Sequence, residues 1–245
     1  MLAVGVWLFA VGACDLLRAA RDITSPRRRV LIIAIGVLLF LFLGISSGLE
    51  GTEWAGLGLG WVVTFLVWLL ASSVALERGA SLARALAFTG LLAGLALTIL
   101  GGGVLDDERQ VWSSLGGSLL GSFPPDYLVL LAGVAVFQLS SANILVRLVL
   151  DAVGVPATTN EKRLKGGRLL GPMERLFILG LGLAGELTAA AIVVAAKGLL
   201  RFPELQRGDP TEGPSDVTEY FLIGSFASWL VALGGLGLAW AGGVQ

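Results

Sequence analysis

Five stretches of this chain carry no charged residue at all: 30–49, 54–76, 85–105, 127–146 and 220–245. Each is about 20 residues or longer, the length an α-helix needs to cross a hydrocarbon core of roughly 30 Å. Composition agrees, with 56% hydrophobic and 14% charged residues and a mean hydropathy of +0.85. An ordinary soluble domain is about 45–50% apolar and about 25% charged. A water-soluble globule is excluded, and the expected class is an all-α polytopic membrane helix bundle. The 17 basic and 18 acidic residues nearly cancel, so there is no basic footprint for nucleic acid.

The residues that are missing narrow the chemistry. Histidine is absent and Cys14 is the single cysteine. Histidine acid–base catalysis, Ser-His-Asp and Cys-His nucleophiles, and His-ligated haem are thereby removed. Ordinary zinc sites need several Cys or His ligands, so no metal site and no cofactor is expected. The last apolar stretch lacks a lysine, which rules out a retinal Schiff base there. Any chemistry has to come from carboxylates, Arg, Lys, Ser or Tyr.

Seven spans are expected: Met1–Leu17, Val30–Leu49, Trp54–Leu76, Leu82–Leu105, Tyr127–Leu150, Pro172–Lys197 and Tyr220–Ala241. The first is short, and five arginines follow it (Arg18, Arg21, Arg27, Arg28 and Arg29) where a signal peptide would carry its charge in front. It reads as an uncleaved helix, with a re-entrant or tilted interfacial helix as the alternative. Alternate connections place twelve basic residues on one side and four, Arg109, Lys197, Arg201 and Arg207, on the other. The positive-inside rule then puts the N-terminus outside and the C-terminus in the cytoplasm of a multi-pass plasma (inner) membrane protein. A five-helix part over 1–150 and a two-helix module over 166–241 make up a single transmembrane domain. Gln110–Pro125, with Val111, Trp112, Leu115, Leu119 and Phe123 at helical spacing, suits a short interfacial helix or a re-entrant loop.

Small residues recur four apart at Gly56 and Gly60, Gly90 and Gly94, and Gly224 and Ser228. Such faces let helix backbones approach closely in lipid. They serve either packing within the bundle or a homo-oligomer; membrane lipids are the other expected partner.

The charged residues of the last three spans form the candidate site. Arg175, Glu186 and Lys197 are eleven residues apart, which at 100° per residue returns to within about 20° of the same direction. On one continuous helix they form a stripe roughly 33 Å long, with Glu186 near the midplane. A carboxylate there has to be protonated, paired or wet. Packing against Asn143 or Ser228 would satisfy it; alternatively it titrates in a proton or cation path. The fifth span carries Ser140, Asn143, Arg147 and Asp151 at spacings of three and four. Depth matching pairs Arg147 with Glu174, and Lys197 or Arg201 with Glu219. Asp15 and Arg18 read as a local i,i+3 pair.

Three motifs carry a family likeness: Gly171-Pro172-Met173-Glu174-Arg175, Ala195-Ala196-Lys197-Gly198-Leu199-Leu200-Arg201-Phe202, and Glu219-Tyr220-Phe221-Leu222-Ile223-Gly224-Ser225. From Gly166 onward the chain resembles the C-terminal part of a family of uncharacterised bacterial integral membrane proteins, known only as a domain of unknown function. Its patterns are G-x-x-E-R, A-A-K-x-x-x-R-F and E-Y-x-L-I-G-T, with Ser225 here in place of threonine. Family members carry histidine in their first helices and this chain has none. The resemblance singles out Glu174, Arg175, Lys197, Arg201 and Glu219 and implies no activity.

Three functions are compatible with these residues. A small transporter or permeation path for protons, cations or a small solute would use the polar groups of the fifth to seventh spans, with Glu186 at its centre. A structural, assembly or effector subunit would use the same charges to hold helices together. A membrane enzyme acting on a lipid or polyprenyl phosphate would bind phosphate through Arg175, Lys197 and Arg201, with Glu174 or Glu219 as base.

Overall fold

The computed structural model describes residues 1–19, 26–46, 54–101, 123–155, 167–205 and 216–243. In chain order the elements are α1 (Leu2–Ala19), α2 (Pro26–Ser46), a π-helical turn (Trp54–Gly58) running into α3 (Leu59–Arg78), and α4 (Ser81–Gly101). They are followed by α5 (Pro125–Leu139), α6 (Ser141–Ala152), α7 (Gly167–Leu183), α8 (Leu187–Leu205) and α9 (Asp216–Gly243). No strand occurs among the described residues. The expected interfacial or re-entrant segment Gln110–Pro125 lies almost wholly outside them.

Among the described residues, four helical stretches are long and apolar enough to cross a membrane: Arg27–Ser46, Gly56–Arg78, Ser81–Gly101 and Thr218–Gly243. The pair α5 and α6, broken at Ser140, makes a fifth if read as one span. These match the second, third, fourth, seventh and fifth expected spans. The sixth differs. Instead of one helix from Pro172 to Lys197, α7 begins at Gly167, carries Pro172 inside it, and ends at Leu183. The chain turns through Ala184 and Gly185 before α8 starts at Leu187.

Backbone chemistry explains the break. Gly185 has φ +80°, a left-handed conformation that costs glycine little and a side chain more. Glu186 N donates to Leu181 O at 2.8 Å and Gly185 N to Gly182 O at 3.1 Å, the paired bonds that close a helix at a C-terminal glycine. Glu186 O then accepts from Ala190 N at 3.1 Å, opening α8. Gly79, with φ 65°, closes α3 ahead of α4 with a single bond, its N–H donating to Ala75 O at 2.8 Å.

The chain forms two compact units, Met1–Ser141 with Ala241–Gln245, and Ala142–Trp240. In the first, α1 is central: Val4, Val6, Trp7, Ala10, Val11 and Cys14 are all buried. Among its large apolar side chains α1 exposes only Leu16 and Leu17. It lies against α5 through glycine. A methyl group at Gly5 would stand 2.7 Å from Leu130 Cα, one at Gly12 would stand 2.9 Å from Phe137 N, and one at Gly133 would collide with the Gly5 carbonyl oxygen. Gly94 of α4 leaves room for the Trp7 ring, and Gly36 of α2 for Phe65. Phe40 packs on Phe65 and Trp61, with ring centroids 5.3 and 6.2 Å away.

The recurring small residues are therefore largely used within the chain. Gly90 faces Val67 and the Trp68 backbone, and Gly60 faces the Leu97 side chain. In the second unit Gly182 accommodates Leu236, and Gly224 lies against Leu150. Outward, α2 presents Val30, Leu31, Leu38, Phe42 and Ile45, and α9 presents Leu222, Phe226, Leu230 and Leu233. Exposed apolar faces of this extent fit contact with lipid.

The same substitution should have opposite signs at two glycines. Gly133→Ala is expected to destabilise by about 1–3 kcal/mol, the usual cost of overpacking. Gly237→Ala, in α9 with nothing near its Cβ position, should be neutral or stabilising by up to about 1 kcal/mol through helix propensity. Thermal unfolding of both variants in one detergent would check the contrast.

Candidate functional site

Each unit contains a buried polar cluster. In the second, α7 delivers Arg175 into the interior, only 1% exposed. Its Nη1 donates to Ser228 Oγ on α9 at 2.9 Å, and its Nη2 to Asn143 Oδ1 on α6 at 2.6 Å. One guanidinium thus bridges the helices of the fifth, sixth and seventh expected spans. Gly171, one turn before it, leaves space beside the same groups: a Cβ there would stand 3.4 Å from Arg175 Nη1 and 3.8 Å from Asn143 Oδ1.

The stripe through Arg175, Glu186 and Lys197 does not exist, because the turn at Ala184–Gly185 breaks the periodicity that would align them. Glu186 is exposed, at the residue that opens α8. There a carboxylate faces the positive end of the helix dipole. Asn143 and Ser228, the partners considered for Glu186, both bind Arg175 instead. Arg147 on α6 and Glu174 on α7 are half-buried, and each engages in a polar or electrostatic contact, as does Asp151. Glu219 is exposed on α9. Lys197 and Arg201 lie on α8, but their side chains fall outside the described residues, and the pairing with Glu219 falls with them.

The larger cluster is in the first unit. Asp15 and Arg18 form the expected i,i+3 pair, Nε to Oδ1 at 2.7 Å, with exposures of 0% and 6%. The pair is also the hub of a network. Asp15 Oδ2 accepts from Trp68 Nε1 at 2.9 Å and from Ser141 Oγ at 2.6 Å. Arg18 Nη2 donates to Ser72 Oγ at 2.8 Å, and Nη1 to Ser73 Oγ at 3.0 Å and Leu69 O at 3.3 Å. Ser72 and Ser73 donate their own hydroxyl protons to Trp68 O and Leu69 O one turn back. That leaves their oxygen lone pairs for the guanidinium. Next to it, Ser140 Oγ donates to Gly12 O at 2.7 Å, tying the break after α5 to α1.

No group of three or more His, Cys, Asp or Glu that could hold a metal ion gathers among the described residues. A groove of about 360 Å³ along α7 is lined by Met173, Leu176, Phe177, Gly180 and Leu181, an apolar wall suited to hydrocarbon and not to an ion. Comparison of the chain with protein-family models, with curated proteins and with solved structures finds no match. The likeness of the C-terminal third to an uncharacterised family therefore rests on its three motifs alone.

Removing one member of the first-unit pair should cost more than removing both. Asp15→Leu leaves Arg18 buried without its counter-charge and is expected to destabilise by about 3–5 kcal/mol. The double variant Asp15→Leu, Arg18→Met should recover most of that, because well-packed apolar groups replace a buried pair at little net cost. Denaturation of both variants in detergent, followed by tryptophan fluorescence, would check the order.

Proposed function

We propose that this chain is a multi-pass membrane protein working as a structural or assembly subunit, with its arginine-rich connections in the cytoplasm and its N-terminus outside. The observation that carries this reading is the saturation of the Asp15–Arg18 network. Each carboxylate oxygen and each guanidinium nitrogen already has a protein partner. A permeation path needs polar groups that water or an ion can reach and displace. Groups bound in this way clamp helices together. The exposed position of Glu186 points the same way, since the transport mechanism expected from sequence required that carboxylate in the interior.

A second reading, a permeation path for a small solute, is favoured by one feature. Two expected spans are broken, at Ser140 and at Ala184–Gly185. Interrupted helices with polar groups nearby are where many transporters bind their substrates. Arg175, with Asn143 and Ser228, would be the solute-facing group.

Reconstitution separates the two. In proteoliposomes under an imposed pH gradient and potential, wild type and Glu186→Gln are both expected to pass protons and small cations no faster than protein-free vesicles. Native mass spectrometry of the detergent-extracted complex should show a larger assembly of fixed stoichiometry. Flux in the wild type that is lost in Arg175→Gln or Glu186→Gln would replace the subunit reading with the permeation one.

A further inference from the structure

The arginines of the first unit form a second polar feature, on its surface. Arg28 Nη2 donates to Leu17 O at 2.8 Å, joining the start of α2 to the end of α1. Arg29 Nη2 meets Glu77 Oε1 at 3.0 Å, joining the start of α2 to the end of α3. Arg78 follows Glu77, and the turn at Gly79 leads directly into α4, where Arg84 N donates to Ala80 O at 3.0 Å. Arg18, Arg27, Arg28, Arg29, Arg78 and Arg84 thus gather at one end of the unit. Among the described residues there, six arginines face two carboxylates, Asp15 and Glu77, an excess of four positive charges.

Helix electrostatics accounts for only some of these cations. Arg18 and Arg78 stand in the last turns of α1 and α3, where the negative end of the dipole favours them. Arg27, Arg28 and Arg84 stand in the opening turns of α2 and α4, against the positive end, and neither helix has an acidic residue in its first turn. Positive charge concentrated on one face raises the local potential and draws anions to that surface. Arg27 and Arg78 are exposed. The apolar exposed residues begin at once beside them, with Val30 and Leu31 on α2 and Leu82 and Leu86 on α4. A partner of matching chemistry has a negatively charged head and a hydrocarbon tail.

We infer that Arg27 and Arg28 of α2, with Arg78 and Arg84 of the α3–α4 hairpin, bind the phosphodiester headgroup of an anionic phospholipid whose acyl chains lie along the exposed face of α2. This goes beyond the subunit reading and does not depend on it; it rests on the apolar spans. Polybasic membrane-proximal segments bind anionic lipid, each basic residue near the surface contributing roughly fivefold in affinity. Salt weakens the attraction at exposed charges, so the binding should be salt-sensitive.

The test is lipid retention by the full chain in neutral detergent, read by native mass spectrometry and by titration against tryptophan fluorescence. Phosphatidylglycerol and phosphatidylcholine with the same acyl chains are compared at low and high salt. Wild type should hold phosphatidylglycerol at least tenfold more tightly, with the preference collapsing at high salt. The double variants Arg27→Gln, Arg28→Gln and Arg78→Gln, Arg84→Gln should each lose roughly tenfold or more of that affinity. Equal retention of the two lipids by wild type would overturn the proposal, and that arm needs no variant to fold. Undiminished phosphatidylglycerol binding in both double variants would overturn it as well. Displacement of the lipid by millimolar inorganic phosphate would assign the site to a free anion and overturn the lipid assignment.

Discussion

A carboxylate and a guanidinium taken out of water together cost several kcal/mol apiece unless their lone pairs and N–H groups are met. In the first unit, that requirement draws three stretches of chain to one point. Asp15 and Arg18 are one turn apart on α1, and their partners are Trp68, Leu69, Ser72 and Ser73 on α3 with Ser141 at the start of α6. Rotating α3 by a single residue, 100°, would turn both serines away from the guanidinium. The network therefore sets the register of α3 on α1 more than it adds net stability, since apolar groups of the same volume would pack there at no greater cost. Trp68 is positioned by this role. Trp7 and Trp61 are equally buried, and their indole N–H groups meet no acceptor among the described residues.

With register fixed by polar contacts, closeness is left to glycine. Burial of apolar surface cannot drive helices together in hydrocarbon, so association depends on how many atoms can touch. Gly5, Gly12 and Gly133 let α1 and α5 meet backbone to backbone, and the large rings take the gaps that remain, Trp7 at Gly94 and Phe65 at Gly36. A helix enclosed in this way needs no apolar periodicity of its own. α1 can carry two charges inward only as far as its neighbours supply donors and acceptors for them.

Those features were not equally legible in the sequence. Uncharged stretches of spanning length located α2, α3, α4 and α9 to within a few residues, because hydropathy is a property of local composition. The Asp15–Arg18 pair was legible from its spacing. Its serine partners were not, as they lie more than 50 residues away, and serine in a membrane helix ordinarily bonds its own backbone. The break at Ser140 was hidden for the same reason, since its hydroxyl answers to Gly12, 128 residues earlier. The break at Gly185 did leave a trace. Gly180, Gly182 and Gly185 crowd into six residues just before an acidic residue, a C-terminal glycine followed by a helix opening with a carboxylate.

That trace changes what the charges of the sixth expected span mean. Helical periodicity propagates only while the helix does, so one left-handed glycine erases any angular relation between residues on its two sides. A carboxylate embedded in an apolar helix has to be protonated, paired or wet. For Glu186 the chain ends one helix and begins the next at that residue, where the first N–H groups of α8 lack intrahelical acceptors and carry the positive end of its dipole. Arg175 has no such exit, eight residues inside α7. It is instead met from the neighbouring helices by the amide oxygen of Asn143 and the hydroxyl of Ser228. Within an apolar segment, a charge thus marks either an end of the helix or a contact between helices. Spacing alone does not distinguish the two, and the conformation of a nearby glycine does.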